Sequence, residues 1–492
     1  MSFTSAVFLI LFFPVCIVIN FLLKNRWQNL FLCLMSMIFY AWCGVKFLTL
    51  ITGMAVLAYG AGLLIEKART ETARRGILWI ALAFNLSVLF FYKYLFQLFP
   101  ECLNLWARVS GSESVQSPAL PLGLSFYTFS ILSYLLDVYW EKCKAQKKIS
   151  NVLLYVLFFP KVIQGPIMRY TDFESQLLDR TVDLDSLNAG LERFIKGMVK
   201  KVMIADRVEW LVLYSFSHVE RVGTISAWIG LISYLVQLYY DFSGYSDMAV
   251  GLGRMAGFRI PENFDHPYLS ASVGEYWRRW HISLGEWFRD YVYMPVSRFL
   301  LEKNWIGVLK HPMLACDLLS LFAVWTLTGI WHGSGLKYFL WGMWYFVFIA
   351  FERIRDFYRK RRRKKRKEKG KKKLSLSQRI GDRLLVIFAF VFGQVIFRAK
   401  SMGNALDYWK KMVVWDTTDK LYFFHEFDNY ELFALFMGIV FIFPVYGWIK
   451  GNVFERNDVT RAAYRLGLLA AAGVAFCYAI GAGYSAFLYE VF

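Results

Sequence analysis

Long apolar runs alternate with short polar links over nearly the whole chain. The runs lie near residues 3–23, 28–45, 47–65, 77–99, 119–140, 190–216, 224–240, 313–331, 335–351, 384–398, 431–449 and 466–486. A helix rises 1.5 Å per residue, so about 20 such residues cross a hydrocarbon core of roughly 30 Å. The pattern predicts an all-α polytopic membrane protein with ten to thirteen transmembrane helices, since several runs are short or interrupted. The stretch 151–168, NVLLYVLFFPKVIQGPIM, is apolar but holds two prolines, a lysine and a glycine. It reads as a re-entrant hairpin, because broken backbone at membrane depth must be buried in protein. The first 23 residues lack a basic start and a small-residue cleavage site, so they read as a retained span.

Residues 241–312 break the rhythm with many charges and aromatics and no convincing span. Segments such as 272–290, SVGEYWRRWHISLGEWFRD, mix Trp and Phe with Arg, as helices lying in a membrane interface do. Orientation follows from the basic loops. Lys67, Arg69, Arg74 and Arg75 form one; Lys142, Lys144, Lys147 and Lys148 a second; residues 359–373 a third; Arg456, Arg461 and Arg465 a fourth. The positive-inside rule places all four in the cytoplasm, which puts both termini outside and the 241–312 block inside.

Composition sharpens this picture. Of 492 residues, 57% are hydrophobic and 19% charged, with 46 Phe and 18 Trp, and the mean hydropathy is +0.39. That is too much apolar surface for soluble domains, and it excludes a disordered chain, a disulfide scaffold and a collagen-like fibre. The net charge is +20, of which RKRRRKKRKEKGKKK at 359–373 supplies +12. A basic tract beside a span is a topology signal that touches anionic membrane lipid, and nothing resembles a nucleic-acid module. The seven cysteines are scattered with no Cys-x-x-Cys pair, so neither a metal site nor a disulfide framework is expected.

Two histidines stand out. His332 lies between two apolar runs in TLTGIWHGSGLKYFLWG, flanked by Gly329, Gly333 and Gly335. An ionisable group at membrane depth is a functional candidate, and the alternative is a structural histidine at a helix end. His281 lies in EYWRRWHISLGEW, with Arg278, Arg279 and Arg289 nearby. Arginine forks suit the phosphates of a coenzyme, and the alternative is an interfacial helix meeting lipid headgroups. Asp241, Asp247, Asn263 and Asp265 share this block; each could orient a histidine or bind the donor, the alternative is a helix cap or a partner for buried backbone, and none receives a catalytic role.

Ordered motifs run through most of the chain. They are FYAWCGVKFL (39–48), PLGLSFYTFSILSYLLDVY (121–139), FFPKVIQGPIMRYTDFESQL (158–177) and YDFSGYSDMAVGLGRMAGFRIPENFDHPYLS (240–270). EYWRRWHISLGEWFRDYVYMP (275–295), LTGIWHGSGLKYFLWG (327–342) and FRAKSMGNALDYW (397–409) follow. This set resembles the membrane-bound O-acyltransferase (MBOAT) family, in the bacterial AlgI/PatA-like branch that O-acetylates polysaccharides and is related to the teichoic acid D-alanylation protein DltB. Two small departures are Val296-Ser297-Arg298 after Pro295, where the family usually has Leu-Gly-Gly, and Gly285 where a Ser is common.

The resemblance implies the MBOAT fold, with helices ringing a thinned centre pierced by a tunnel. It implies that His332 is the central catalytic histidine and His281 the second functional one. The chain then divides into N-terminal transmembrane helices (1–150), a catalytic core (151–352), a basic cytoplasmic loop (353–383) and C-terminal transmembrane helices (384–492). The last residues, FLYEVF, fit Phe-x-Tyr-x-x-Phe at Phe487, Tyr489 and Phe492. They resemble the C-terminal motif of the small partner in teichoic acid D-alanylation, which implies Tyr489 as an acyl relay; the alternative is an interfacial aromatic anchor.

The expected function is transfer of acetyl from cytoplasmic acetyl-CoA toward an extracytoplasmic polysaccharide, such as peptidoglycan or alginate, in a bacterial cytoplasmic membrane. The donor would be bound through Arg278, Arg279 and Arg289, with no metal. The implied partner is an extracytoplasmic Ser-Asp-His (SGNH-type) O-acetyltransferase. D-alanyl transfer to teichoic acid and glycan or lipid transport are the competing readings.

Overall fold

The computed structural model describes residues 1–110, 116–178, 180–365, 375–417, 428–481 and 487–488. Among the described residues the regular elements are helices, joined by a single isolated bridge between Phe264 and Trp280. We use α1 (Val45–Lys67), α2 (Glu71–Phe90), α3 (Leu124–Tyr139), α4 (Ile149–Leu157), α5 (Leu184–Val199), α6 (Thr224–Met255) and α7 (Val273–Arg279). These are followed by α8 (Ile282–Phe288), α9 (Pro312–His332), α10 (Leu336–Lys365), α11 (Leu376–Arg398), α12 (Asn429–Ile442) and α13 (Asp458–Gly481).

Each apolar run predicted above carries a helix, so the all-α polytopic class holds. Five described helices are long and apolar enough to cross a membrane: α1, α2 with its extension to Leu98, α9, α11 and α13. A sixth crossing is available if α12 and the following Val445–Phe454 act as one span bent by 73°. The other runs form shorter or interrupted helices for visible reasons. α3 has 16 residues, about 24 Å at 1.5 Å per residue. Residues 190–216 are divided by a π-helical turn at Lys200–Ala205. The 151–168 stretch yields only the nine-residue α4, because Pro160 and Pro166 cannot continue a helix. The turn after α4 buries Lys161, whose Nζ donates to Ser130 Oγ at 3.0 Å and sits 4.3 Å from the Tyr155 ring centroid.

The chain forms two compact units. The first comprises residues 1–203, 241–262 and 462–492. Its core includes a ring cluster of Phe3, Phe8, Phe12, Phe39 and Phe159. Within it, Gly190 and Gly197 of α5 lie against Gly251 and Gly244. A Cβ on Gly197 would sit 2.5 Å from Gly244 O, and one on Gly251 would sit 2.5 Å from Gly190 O. Small residues at this seven-residue spacing let two helices meet backbone to backbone.

The second unit comprises residues 204–240 and 263–461 and holds both predicted histidines. α9 and α10 form its central hairpin, turned by Gly333, Ser334 and Gly335. Glu352 of α10 reaches α7, where its two carboxylate oxygens accept the backbone N–H groups of Val273 (2.7 Å) and Gly274 (2.9 Å). An anion on the first N–H groups of a helix is favourable electrostatically, and here it fixes α7 against the hairpin.

Candidate active site

His332 is the last residue of α9, where the helix ends as Gly333 turns to an extended backbone. Its position is set one turn earlier, at the crossing of α9 and α10. A Cβ on Gly342 would lie 2.5 Å from Trp325 O and 3.2 Å from Gly329 Cα, and one on Gly329 would lie 2.6 Å from Tyr338 O. Only glycine permits that approach. The approach brings Trp341 alongside the imidazole. His332 is buried, with ring centroids of Trp331 at 4.6 Å, Trp341 at 4.9 Å and Phe397 at 4.9 Å. The last two meet it near perpendicular, at 81° and 87°. Phe397 is itself placed by Lys337, whose Nζ donates to the carbonyl of Ala399 at 2.6 Å. A cation among the last carbonyls of α11 offsets the negative helix end. The apolar rings exclude water from the imidazole on these sides.

His281 sits before α8 with φ 46°, in the left-handed region. It is buried, and its Nδ1 lies 3.1 Å from Asn263 Oδ1. The same oxygen accepts Ser283 N (3.1 Å) and Ser283 Oγ (2.9 Å). Ser283 N can only donate, so the Asn263 atom is oxygen, and His281 Nδ1 must carry the proton. The other nitrogen, Nε2, is then the basic one. Burial pushes the His281 imidazole down to about 3, so the ring is neutral at physiological pH. Backbone bonds from Ile282 N to Asn263 O and from Asp265 N to Arg279 O, each 3.0 Å, tie the two strands of this corner together.

Both predicted histidines flank one indole. Trp331 lies 4.6 Å from His332 and 6.3 Å from His281, centroid to centroid. The predicted arginines are less alike than their sequence suggests. Arg279 is paired with Glu275 at 2.8 Å, and its carboxylate neighbour Asp265 lies 3.9 Å away. Arg289 is paired with Asp290 at 2.8 Å. Arg278 is exposed and has no ion pair among the described residues. Of the three, its guanidinium is the one open to a phosphate.

Tyr489 and Phe492 lie outside the described residues, but the two residues preceding Tyr489 are placed. Phe487 is fully buried in the first unit, packed edge-on against Tyr245 and 4.5 Å below Lys201 Nζ. Lys201 and Asp241, both buried, form an ion pair at 2.7 Å. The second oxygen of Asp241 accepts Leu488 N at 2.9 Å. Asp247, in the same block, is held by Lys200 and Arg193, each at 2.7 Å.

The model of the membrane-bound O-acyltransferase family matches residues 141–391. A probable alginate O-acetylase AlgI of Pseudomonas aeruginosa is 37% identical over 429 residues, covering 85% of this chain and 76% of its own. This chain belongs to the membrane-bound O-acyltransferase family. A peptidoglycan O-acetyltransferase of Helicobacter pylori is 30% identical, covering 84% of this chain and 79% of its own. A teichoic acid D-alanyltransferase of Bacillus subtilis is 28% identical, covering 57% and 69%.

The protein is thus a membrane-embedded acyltransferase, and the MBOAT match contains both His281 and His332. Two residues of the second unit have contacts that the sequence does not single out. Asn263 was one polar residue among several in PENFDHPY, and its part is visible only once Ser283 and His281 converge on it. Glu352 lies 78 residues or more from the N–H groups it holds, beyond any local pattern. Asp241 serves as a backbone partner, accepting the N–H of Leu488.

Proposed function

We propose that this MBOAT enzyme moves an acetyl group from cytoplasmic acetyl-CoA to a polysaccharide outside a bacterial cytoplasmic membrane, with Tyr489 as relay. The observation that carries the reading is the pair of buried imidazoles on one indole, with one tautomer fixed by Asn263. The Pseudomonas and Helicobacter relatives, acting on alginate and peptidoglycan by name, support acetyl as the group and polysaccharide as the acceptor.

A phenol is a poor nucleophile at neutral pH and needs a base. His332 takes the Tyr489 proton as the phenolic oxygen bonds to the acyl carbon. The carbon–sulfur bond breaks, and His332 returns the proton to the leaving thiolate. The acyl group then passes from Tyr489 to the acceptor through an SGNH-type partner. His281, neutral and protonated on Nδ1, presents Nε2 as an acceptor. That suits holding a donor N–H in register and does not suit polarising a carbonyl. Arg278 fits a donor phosphate, and a path through the membrane need pass only the acetyl group.

The test is reconstituted protein given acetyl-labelled CoA. CoA release and C-terminal peptide mass are followed together. His332→Ala is expected to lower transfer by roughly 10²–10⁴-fold, the usual cost of losing a general base. Tyr489 of the wild type should gain one acetyl. Near wild-type transfer by the His332→Ala variant would refute the role of His332, and an alanyl adduct on the C-terminal peptide of protein isolated from cells would move the donor to the D-alanyl class.

A further inference from the structure

The first unit contains a cavity of about 550 Å³ that the acyl-transfer reading does not use. Gln176, Arg180, Ser186, Arg254 and Arg259 supply its polar wall, and Phe258 and Gly257 its apolar side. Three guanidiniums therefore converge on one space with no carboxylate among the lining residues.

Arg180 is the unusual member. It is 95% buried, being only 5% exposed. Its guanidinium lies 4.4 Å above the Phe258 ring centroid, and Nη1 donates to Asn29 Oδ1. Its Nε and Nη2 are buried and make no hydrogen bond among the described residues. A buried charged group with unmet donors is costly unless a partner arrives. Arg254 and Arg259 are exposed at the rim and have no ion pair among the described residues. Asp183, which feels the charge of Arg254, is engaged as the cap of α5, accepting Ser186 N at 2.7 Å.

The wall is built, not incidental. Gln176 Oε1 accepts Arg259 N at 2.7 Å, and Asn29 Nδ2 donates to Leu177 O at 3.0 Å. Gly257 has φ +83°, and a Cβ there would press to 3.0 Å from both Arg180 Cδ and Val182 Cγ2. The turn thus needs glycine in order to seat the Arg180 side chain.

We propose that this cavity is a phosphate-binding site, taking a phosphomonoester or phosphodiester group onto Arg180 from the rim arginines. Planar guanidiniums give paired charge-assisted bonds to phosphate oxygens, and a volume of this size admits the phosphate with part of the molecule bearing it. Two sources share that chemistry: the headgroup of an anionic phospholipid, and a soluble organic phosphate. The inference rests on the cavity alone and stands or falls apart from the acyl-transfer reading.

The test uses full-length protein and a binding readout. In one arm, native mass spectrometry follows retained lipid after transfer from nanodiscs of phosphatidylcholine with or without phosphatidylglycerol. In the other, pyrophosphate and adenosine 3′,5′-bisphosphate are titrated against thermal stability in neutral detergent. Wild type is expected to bind in at least one arm. The double variant Arg254→Gln/Arg259→Gln, whose side chains are exposed and outside the packed core, should bind at least tenfold more weakly. Arg180→Gln should abolish binding. Retained phosphatidylglycerol alone assigns a headgroup, and stabilisation by the soluble probes alone assigns an organic phosphate. Binding in neither arm, or equal binding by wild type and the double variant, overturns the proposal.

Discussion

Replacing Asn263 by alanine tests whether its carbonyl acts through His281. The amide oxygen accepts three hydrogen bonds, from His281 Nδ1 and from Ser283 N and Oγ, at 2.9–3.1 Å. All three residues are buried. Losing the acceptor costs about 1–3 kcal/mol for each buried donor that cannot turn elsewhere, so roughly 2–6 kcal/mol for the ring and backbone N–H groups together. The catalytic effect is separate. Without the oxygen, neither the tautomer nor the ring plane of His281 is fixed, and misplacement by about 1 Å can cost 10²-fold in rate. We expect Asn263→Ala to lower acyl transfer by about 10²-fold. A double-mutant cycle with His281→Ala isolates the cause, since residues acting through one contact are not additive. If Asn263 works through His281, adding Asn263→Ala to His281→Ala should change the rate by no more than roughly threefold, within the scatter of such cycles. Transfer would be assayed as CoA release in nanodiscs, with Tm followed in parallel. Rate losses that multiply in the double variant would refute the positioning argument, whatever the stability data show.

Gly342→Ala should drive its Cβ into Trp325 O and Gly329 Cα, destabilising by about 1–3 kcal/mol and displacing His332, while Gly335→Ala, with only a 3.9 Å neighbour, should be silent in Tm and transfer. Asp241→Leu combined with Lys201→Met removes the buried ion pair without orphaning either charge, so stability should stay within a few kcal/mol. The loss of the Leu488 N acceptor should nonetheless expose the C-terminal peptide to hydrogen exchange and lower transfer if Tyr489 is the relay. Glu352→Gln keeps one acceptor for Val273 N or Gly274 N and loses the charge, so Tm should fall by the equivalent of about 1.5–3 kcal/mol. Because His281 titrates near 3 folded and near 6.5 unfolded, the unfolded chain binds the extra proton between those values. Stability should then fall on acidification from about pH 6.5 toward 3, by up to about 1.4 kcal/mol per pH unit, and His281→Gln should flatten that slope in urea titrations.

The features legible in the sequence are those written locally. Apolar runs gave helices, and prolines 160 and 166 marked where the 151–168 stretch could not stay helical. The glycines around His332 marked a helix end and a close approach, and both occur. The arginines show where local reading stops. Glu275 and Arg279 are four apart, a spacing at which helical residues pair, and that pairing engages a guanidinium expected at a donor phosphate. The remaining contacts are long-range: Asn263 to His281 spans 18 residues, and Asp241 to Leu488 spans 247. No periodicity encodes such pairs, because they depend on which helices meet. Apolar runs alone also overstate the number of full crossings, since a 16-residue helix such as α3 is largely apolar yet shorter than a bilayer core.

Four of the charged residues weighed beside the two histidines are paired, and that sets the imidazoles apart from them. Asp241, Asp247, Arg279 and Arg289 each meet an opposite charge within 2.8 Å. Such pairs are electrically closed, and they hold elements in place at little net gain in stability. The imidazoles are instead set among aromatic rings and an amide. A neutral imidazole tolerates that setting where a carboxylate or ammonium would not, and it retains a basic nitrogen. In the proposed mechanism, a proton moved in a water-poor interior is therefore better carried by histidine than by a carboxylate or an ammonium. His332 between Trp331, Trp341 and Phe397, and His281 on Asn263, both have that setting.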